Sequence, residues 1–215
     1  MHVLITGANR GIGHALAEHY RAAGHAVTGT ARAPVDDLVA LDVTDPVSCA
    51  ALAEHLQDRP LDLLICNAGI YPDKGQHLET GYPPAMWVKG FATNVTGVFL
   101  CVQALLPNLR AAGAARIAII SSQMASHTRA PGGNYIYRAS KAAALNLGRN
   151  LATDLAPEGI AVGIYHPGWV RTDMGGDAAE ITVEEAATGL VARFAALSPE
   201  TTGCFQTWDG RDHPY

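Results

Sequence analysis

Short apolar runs with the composition of β-strands alternate with longer segments of helical periodicity along most of this 215-residue chain. The strand-like runs span residues 2–6, 26–31, 61–66, 116–121, 160–165 and 204–207, with a further strand expected just before Asp42. The helical patterns span residues 11–23, 84–109, 135–155 and 183–197. The segment 32–38 is too short for a helix, so we expect a bare loop between the second and third strands. Apolar strands joined by crossover helices form parallel sheets buried on both faces, which predicts a single α/β domain over residues 1–215.

The composition excludes several other classes of protein. A hydrophobic content of 48% with 16% charged residues is typical of a folded globular protein rather than a disordered one. The net charge of −5 and the sequence pI near 5.9 argue against a general nucleic-acid or anionic-membrane binder. The sequence contains no uninterrupted run of about eighteen apolar residues, so we expect no membrane span. Because the sequence enters a strand at once, we expect no signal peptide.

Neither the cysteines nor the histidines are spaced for metal binding. The four cysteines include no Cys-x-x-Cys pair, and the nine histidines form no His-Glu-x-x-His motif. We therefore expect reduced thiols in a cytoplasmic protein without a metal site.

Three glycines mark the turn from the first strand to the first helix. Gly7, Gly11 and Gly13 lie in the run Thr-Gly-Ala-Asn-Arg-Gly-Ile-Gly, with the spacing Gly-x-x-x-Gly-x-Gly. Glycines at such a turn permit a tight bend and let a pyrophosphate approach the backbone N–H groups at the helix N-terminus. A plain tight turn would explain the glycines alone, but their place at the start of a β–α–β unit favours a nucleotide site.

The residues that follow the second strand bear on the choice of nucleotide. A carboxylate there would bind the adenosine ribose of NAD, but the strand ends in Thr-Ala-Arg with no acid. Arg10 in the glycine turn and Arg32 could together pair with the 2′-phosphate of NADP. We therefore expect NADP(H) to be preferred, with NAD(H) as the alternative cofactor. Two solvated arginines without a ligand are the other interpretation.

Tyr137 and Lys141 lie four residues apart in a segment of helical periodicity, so their side chains share one side of the helix. Lys141 is one of only three lysines and precedes an apolar run typical of a buried helix. A nearby positive charge stabilises a phenolate. The pair could therefore donate or accept a proton close to neutral pH, as chemistry at a carbonyl or alcohol requires. A tyrosine at a helix start beside a snorkelling lysine is the alternative.

Several motifs occur in a fixed order over nearly the whole chain. They are the glycine turn, Asn67-Ala68-Gly69 after the fourth strand, Asn94, Ser122, Tyr137, Lys141 and Pro167-Gly168. This ordered set resembles that of the short-chain dehydrogenase/reductase family. The segments around Ser122, around Tyr137 and over residues 166–174 are similar to the C-factor-like branch of that family. The resemblance implies a doubly wound Rossmann domain with a parallel sheet of about seven strands and helices on both faces.

The resemblance also implies roles for individual residues. Tyr137 would be the proton donor or acceptor, and Lys141 would lower its pKa and bind the nicotinamide ribose. Ser122 would orient the substrate oxygen, and Asn94 would hold a water that links Lys141 to solvent. The residues implied to contact the cofactor are Gly7, Asn9, Arg10, Gly11, Ile12, Gly13, Arg32, Asp42, Val43, Asn67, Ala68, Gly69, Tyr137, Lys141, Pro167, Gly168, Val170 and Thr172.

Four residues offer competing interpretations. Ser121 is the alternative to Ser122, because neighbouring residues of a strand face opposite ways and only one can reach the site. Tyr135 could be mistaken for the acid, but only Tyr137 lies four residues before Lys141. His166 is expected to be a packed or polar loop residue rather than a general base. Asp173 is expected to be a helix cap or a loop hydrogen-bond partner rather than a catalytic acid.

The substrate side is less defined by the sequence. Only residues 173–182 separate Thr172 from the next helix, which predicts a short lid and an open site. Candidate lining residues are Met124, Tyr135, Trp169, Met174 and the segment 71–75. The aromatic tail, residues 208–215, is expected to dock either on a neighbouring subunit or within its own chain.

The resulting expectation is an NADP(H)-dependent oxidoreductase that interconverts a ketone or aldehyde and an alcohol by hydride transfer. Its substrate would be a small molecule. Relatives of this kind assemble as dimers or tetramers through the helices at 84–109 and 135–155, so we expect a homodimer or homotetramer. A nucleotide-binding regulatory or signalling protein on the same scaffold is the rival hypothesis, because a fold does not determine a function. The length leaves no room for the added substrate domain of the extended epimerase-like relatives.

Overall fold

The computed structural model describes all 215 residues and contains one parallel sheet. Its strands are β1 (His2–Ile5), β2 (Ala26–Ala31), β3 (Val39–Ala40), β4 (Leu63–Cys66), β5 (Arg116–Ile120), β6 (Ala161–His166) and β7 (Phe205–Thr207). The spatial order is β3-β2-β1-β4-β5-β6-β7, and every neighbouring pair is parallel. The chain winds outward from β1 to β3 and then returns to β4. The carboxyl ends of β1 and β4 therefore flank the switch point at which such sheets bind ligands.

Helices cover both faces of this sheet, as predicted. They are α1 (Gly11–Ala22), α2 (Pro46–Leu56), α3 (Pro84–Phe91), α4 (Gly97–Ala111), α5 (Tyr135–Leu155) and α6 (Val183–Ala196). Helices α1 and α6 pack together over one face and enclose a core of 14 buried residues. Helices α2, α4 and α5 cover the other face over a core of 25 buried residues. The doubly wound architecture is confirmed.

The predicted elements match the observed ones with small shifts at their ends, and one helix is new. Helix α5 has the predicted bounds, and segment 32–38 is a loop as expected. Helix α2 was not predicted, although local signals for it exist. The Asp45 carboxylate accepts the N–H of Val47 at 2.9 Å, and Pro46 occupies the first helical position. The buried residues Cys49, Leu52 and Leu56 also follow helical spacing.

A π-helical turn, Ala92–Thr96, joins α3 to α4 in one continuous helix of 28 residues. Its most apolar window has a mean hydropathy of 1.4, so by length and composition alone this helix could cross a membrane. Within the fold it packs against α2, α5 and β4. Only 39% of that window is buried by these contacts.

The aromatic tail folds back onto its own chain. Asp212 forms an antiparallel bridge with Gln206 of β7, and the N–H of His213 donates to the carbonyl of Phe205 at 2.8 Å. The ring of Tyr215 lies 4.0 Å from the guanidinium carbon of Arg149 on α5. Of the two expectations for the tail, docking within the chain is the one observed.

Candidate active site

A cleft of about 940 Å³ lies across the carboxyl ends of the central strands. Most of the residues implied to bind the cofactor line it: Gly7, Asn9, Arg10, Gly11, Ile12, Arg32, Asp42, Val43, Asn67, Ala68, Gly69, Tyr137, Lys141, Pro167 and Thr172. Four further implied residues, Gly13, Ser122, Gly168 and Val170, are adjacent to the cleft without lining it, and Asn94 lies beneath its floor. The structure thus brings together residues from five separate loops.

The glycine turn has the geometry that its spacing predicts. Gly7 and Gly11 have φ angles of 70° and 54°, in the left-handed region that favours glycine. A Cβ on Gly13 would lie 2.2 Å from the carbonyl oxygen of Gly7, so only glycine lets α1 start this close to the strand. The N-cap residue Arg10 makes no side-chain bond to the helix. The first backbone N–H groups of α1 therefore remain free to bind an anion in the cleft.

Asn67 and Thr6 hold this turn against the next loop. The Asn67 amide donates to the carbonyls of Thr6 and Gly7, each at 3.0 Å. The Thr6 hydroxyl accepts the N–H groups of Asn67 and Ala68, also at 3.0 Å. These bonds fix the loops after β1 and β4 relative to each other, which gives the cleft a rigid floor.

Tyr137 lies at the start of α5 with only 8% of its surface exposed. Burial raises the pKa of its hydroxyl to about 12, and the nearby Ser122 side chain lowers that pKa in part. The Ser121 hydroxyl instead donates to the carbonyl of Lys141 at 3.1 Å, although Ser121 lines the cleft. Because the Ser121 hydroxyl donates to the main chain, Ser122 is the serine favoured beside Tyr137.

Lys141 is 5% exposed, and its ammonium lies 5.7 Å from the centre of the Tyr137 ring. Its Nζ donates to the carbonyl of Ile120 at 2.9 Å. Burial lowers the pKa of Lys141 to about 8. The lowering of the Tyr137 pKa by Lys141 that the resemblance implies stays a prediction, and burial is the largest influence on that pKa in the protein alone.

Asn94 is placed by the π-helical turn and is fully buried. Its amide accepts the N–H of Ile70 and donates to the carbonyl of Ile70, both at 2.9 Å, and donates to the Ser140 hydroxyl at 3.0 Å. A Cβ on Gly69 would lie 3.3 Å from Asn94 Oδ1 and 3.4 Å from Lys141 Nζ. Asn94 therefore anchors the loop after β4 directly beside the ammonium; its implied role in holding a water stays a prediction.

The far end of the cleft carries the groups expected to select the nucleotide. Arg32 is exposed there and forms no ion pair. Its positive charge lies close enough to Asp42 to contribute to lowering the pKa of that carboxyl. Hydrogen bonds from the Thr44 hydroxyl and backbone N–H lower the pKa of Asp42. Arg10 is paired with Asp173 across the cleft. Of the two roles expected for Asp173, a loop hydrogen-bond partner is the one observed, and a helix cap is not.

The loop after β6 forms the opposite end. Gly168 has a φ of 91°, and a Cβ there would lie 2.4 Å from Ile181. Val170 is buried and forms a bridge with Ile181, so it supports the loop from behind. The Thr172 hydroxyl accepts the N–H of Gly175 at 3.1 Å. Pro167 and Thr172 face the cleft, whereas Gly168 and Val170 shape the backbone that presents them.

His166, the last residue of β6, is a packed residue as expected. It is 8% exposed, and its Nδ1 accepts the N–H of Gly168 at 3.4 Å. Burial, with a smaller contribution from nearby His213, lowers the pKa of His166 to about 4. The neutral imidazole is therefore the form that the folded protein requires.

Acid is expected to destabilise the protein through His166. The pKa of His166 is ~6.5 in the unfolded chain and about 4 in the folded protein, so between these values only the unfolded chain is protonated at this residue. The free energy of unfolding therefore falls by up to about 3 kcal/mol as the pH falls from ~6.5 to ~4. Urea unfolding at pH 7 and at pH ~4.5 measures the loss. His166→Gln cannot titrate and should lose less stability, whereas the exposed control His77→Gln should match wild type. An equal acid loss in His166→Gln and wild type would contradict this assignment.

The sequence missed one buried contact of the site. Asp73 is fully buried and accepts backbone N–H groups at the start of α5, although segment 71–75 was expected only to line the substrate side. Trp169 and Met174 are exposed near the mouth, and the Trp169 indole donates to the carbonyl of Gly175 at 3.0 Å. The ring of Tyr135 packs edge-on against Tyr82. No sequence signal for the Asp73 contact exists, because its partners lie about sixty residues away.

Comparisons with known proteins agree with this arrangement. Residues 1–182 match the family described as short chain dehydrogenase. The chain is 36% identical to C-signal of Myxococcus xanthus over 167 residues, covering 77% of this chain and 99% of C-signal. It is 33% identical to the 1-hydroxy-2-glutathionyl-2-methyl-3-butene dehydrogenase of Rhodococcus sp. (strain AD45), covering 97% of this chain and 96% of the relative. Its structure superposes on the NADPH-bound carbonyl reductase from chicken fatty liver with a TM-score of 0.89 and 33% identity, covering 99% of this chain and 98% of that one.

Proposed function

Because the chain belongs to the short-chain dehydrogenase/reductase family, in its C-factor-like branch, we propose that it is an NADP(H)-dependent oxidoreductase that interconverts a ketone or aldehyde and an alcohol. One observation carries the proposal. The buried Tyr137 lies near Ser122 and beside the Lys141 ammonium, in the wall of the cleft that also contains the glycine turn. This set places a proton donor beside a site for a nucleotide.

The residues of the cleft fit a dinucleotide. The uncapped N-terminus of α1 offers free N–H groups and a favourable dipole for a pyrophosphate. The two left-handed glycines and the close approach at Gly13 leave no side chain in the way. The cleft continues without interruption from Arg32 and Asp42 at one end to Tyr137 and Lys141 at the other.

The chain's own residues handle the proton and the position of the substrate. When bound, the nicotinamide would supply the hydride and, in its oxidised form, a positive charge. During reduction Tyr137 donates its hydroxyl proton to the carbonyl oxygen, so that the product leaves as an alcohol. Ser122, which lies near the Tyr137 side chain, orients that oxygen. The Lys141 ammonium stabilises the phenolate that remains, since a positive charge favours the ionised form.

The experiment that tests the proposal is a panel of aldehydes, ketones and diketones with NADPH and with NADH, followed through the absorbance of the reduced nicotinamide. We expect turnover that prefers NADPH. Arg32→Ala should raise the KM for NADPH about 10- to 100-fold, because it removes a charge-assisted bond to the 2′-phosphate. The KM for NADH on the same variant is the internal control and should change little. Equal losses with both cofactors would contradict the phosphate assignment.

The C-signal relative favours one second candidate, a nucleotide-binding signalling protein on this scaffold. The intact set of Ser122, Tyr137 and Lys141 weighs against it, because a nucleotide sensor has no need of a proton donor. Tight NADPH binding without turnover across the whole panel would support the signalling candidate and contradict the enzymatic one.

A further inference from the structure

The segment that follows Ile70 reaches the start of α5 and contacts Tyr137 twice. Asp73 has no exposed surface. Its carboxylate accepts the N–H of Ile136 at 2.8 Å and the N–H of Tyr137 at 3.2 and 3.3 Å to the two oxygens. Helix α5 has no side-chain cap from its own N-cap residue Asn134. Asp73 therefore satisfies N–H groups that would otherwise be orphaned at the helix start.

Tyr71 makes the second contact. Its ring stacks on the ring of Tyr137 with the centroids 4.2 Å apart and the planes at 21°. Aromatic pairs at this separation attract each other beyond their shared burial. One short segment thus holds both the backbone and the ring of the same tyrosine. The segment is itself anchored by the bonds from Asn94 to Ile70.

We propose that Tyr71 and Asp73 form a clasp that positions Tyr137 for proton transfer. This inference rests on the proposed function, because it assigns Tyr137 the proton. Neither clasp residue lines the cleft, so both act through Tyr137 and are positioning residues. The clasp fixes the main chain at the first turn of α5 and limits the tilt of the ring, which sets the place of the hydroxyl relative to Ser122.

The carboxylate of Asp73 also influences the pKa of Tyr137. The groups that face this phenol are Ser122 from the turn after β5, Lys141 from α5, and Tyr71 and Asp73 from the loop after β4. The negative charge of Asp73 opposes the phenolate and contributes to the raised pKa of Tyr137. Removing this charge lowers that pKa. The alkaline limb of the rate profile for reduction then moves to lower pH.

Four variants of the full-length protein test the clasp with NADPH and the best ketone of the panel. Asp73→Ala should lower kcat about 10- to 100-fold, the range that misplacement of a reacting group produces, while the KM for NADPH stays within about twofold. Asp73→Asn keeps an acceptor for the helix N–H groups, so it should recover part of kcat with its alkaline limb at lower pH. Tyr71→Phe keeps the stacking and should match wild type. Tyr71→Leu removes the stacking and should lower kcat.

The matched control is Asp45→Asn, the same chemical change at the cap of α2. It should leave kcat and the alkaline limb unchanged. Wild-type kcat and an unmoved limb in folded Asp73→Asn, together with wild-type kcat in Tyr71→Leu, would overturn the clasp. The same two variants decide the matter if Asp73→Ala does not fold.

A direct titration separates this inference from the proposed function. If wild type turns over nothing, the proposed function fails, and Tyr137 can still be followed by NMR with tyrosine labelled at the ring carbon that bears the hydroxyl. Tyr137→Phe assigns the signal. A lower midpoint in Asp73→Asn than in wild type supports the clasp, and equal midpoints overturn it.

Discussion

Replacing Tyr137 by Phe is expected to lower kcat about 1,000-fold or more while leaving the affinity for NADPH within about twofold. A positioned acid contributes about 100- to 10,000-fold to a proton transfer, and Tyr137 is the proton donor of the proposed reaction, in the wall of the cleft. Phenylalanine retains the ring, so the stacking on Tyr71 and the packing of α5 persist. Steady-state rates and fluorescence titration of NADPH measure the two quantities separately.

Tyr165→Phe is the matched control for this change. Tyr165 is a buried tyrosine of β6, 1% exposed, that packs against Phe194 on the far side of the sheet from α5. Its loss of a hydroxyl should leave kcat unchanged. Turnover by Tyr137→Phe at the wild-type rate would contradict the assignment of Tyr137 as the proton donor.

Lys141→Met is expected to abolish most turnover and yet not destabilise the protein. The lowered pKa of Lys141, about 8 against 10.5 for a free lysine, corresponds to a cost of about 3 kcal/mol for keeping the buried ammonium charged. Methionine has a similar length and no charge, and it loses the bond to the carbonyl of Ile120 and the weak contact of the ammonium with the Tyr137 ring. The melting temperature of the variant should therefore equal or exceed that of wild type at pH 7, while kcat falls about 100-fold or more.

The pH dependence identifies the origin of this gain. Because the folded pKa lies below the unfolded one, the cost is largest below pH ~8 and disappears as pH rises to ~10.5. The stabilities of variant and wild type should converge across this window. Lys74→Met, a change at an exposed lysine, should show no such convergence. A variant less stable than wild type at every pH would mean that the ammonium stabilises the fold.

The sequence predicts the sheet and most of its helices because apolar strands and helical periodicity are local signals. Helix α5 was placed with its observed bounds, since large apolar residues recur along it. Helix α2 was missed because it is short and Ala-rich, and its clearest signals are one capping carboxylate and one proline.

The site was predicted as a set of residues but not as an electrostatic environment. The order of motifs was sufficient to bring Tyr137, Lys141 and Ser122 together. The pKa of Tyr137 depends on how much solvent the surrounding helices exclude, and a sequence spacing contains no such quantity. Asp73 could not be predicted for a related reason, because a carboxylate that caps a helix from a distant loop leaves no local pattern.

The π-helical turn at Ala92–Thr96 has a consequence for how this helix can vary in length. It adds one residue between two contacts that allow no side chain, Gly90 against Ile136 and Gly97 against Val43. Each residue rotates an α-helix by about 100°, so deleting the extra residue would turn one of these glycines away and present a larger side chain in its place. The rotation of α3 about its axis is therefore set by its contact with α5, and the rotation of α4 is set separately by its contact with Val43. Asn94 lies in the π-helical turn itself and binds the loop after β4. A change in the number of residues in this helix would therefore also displace a residue that supports the active site.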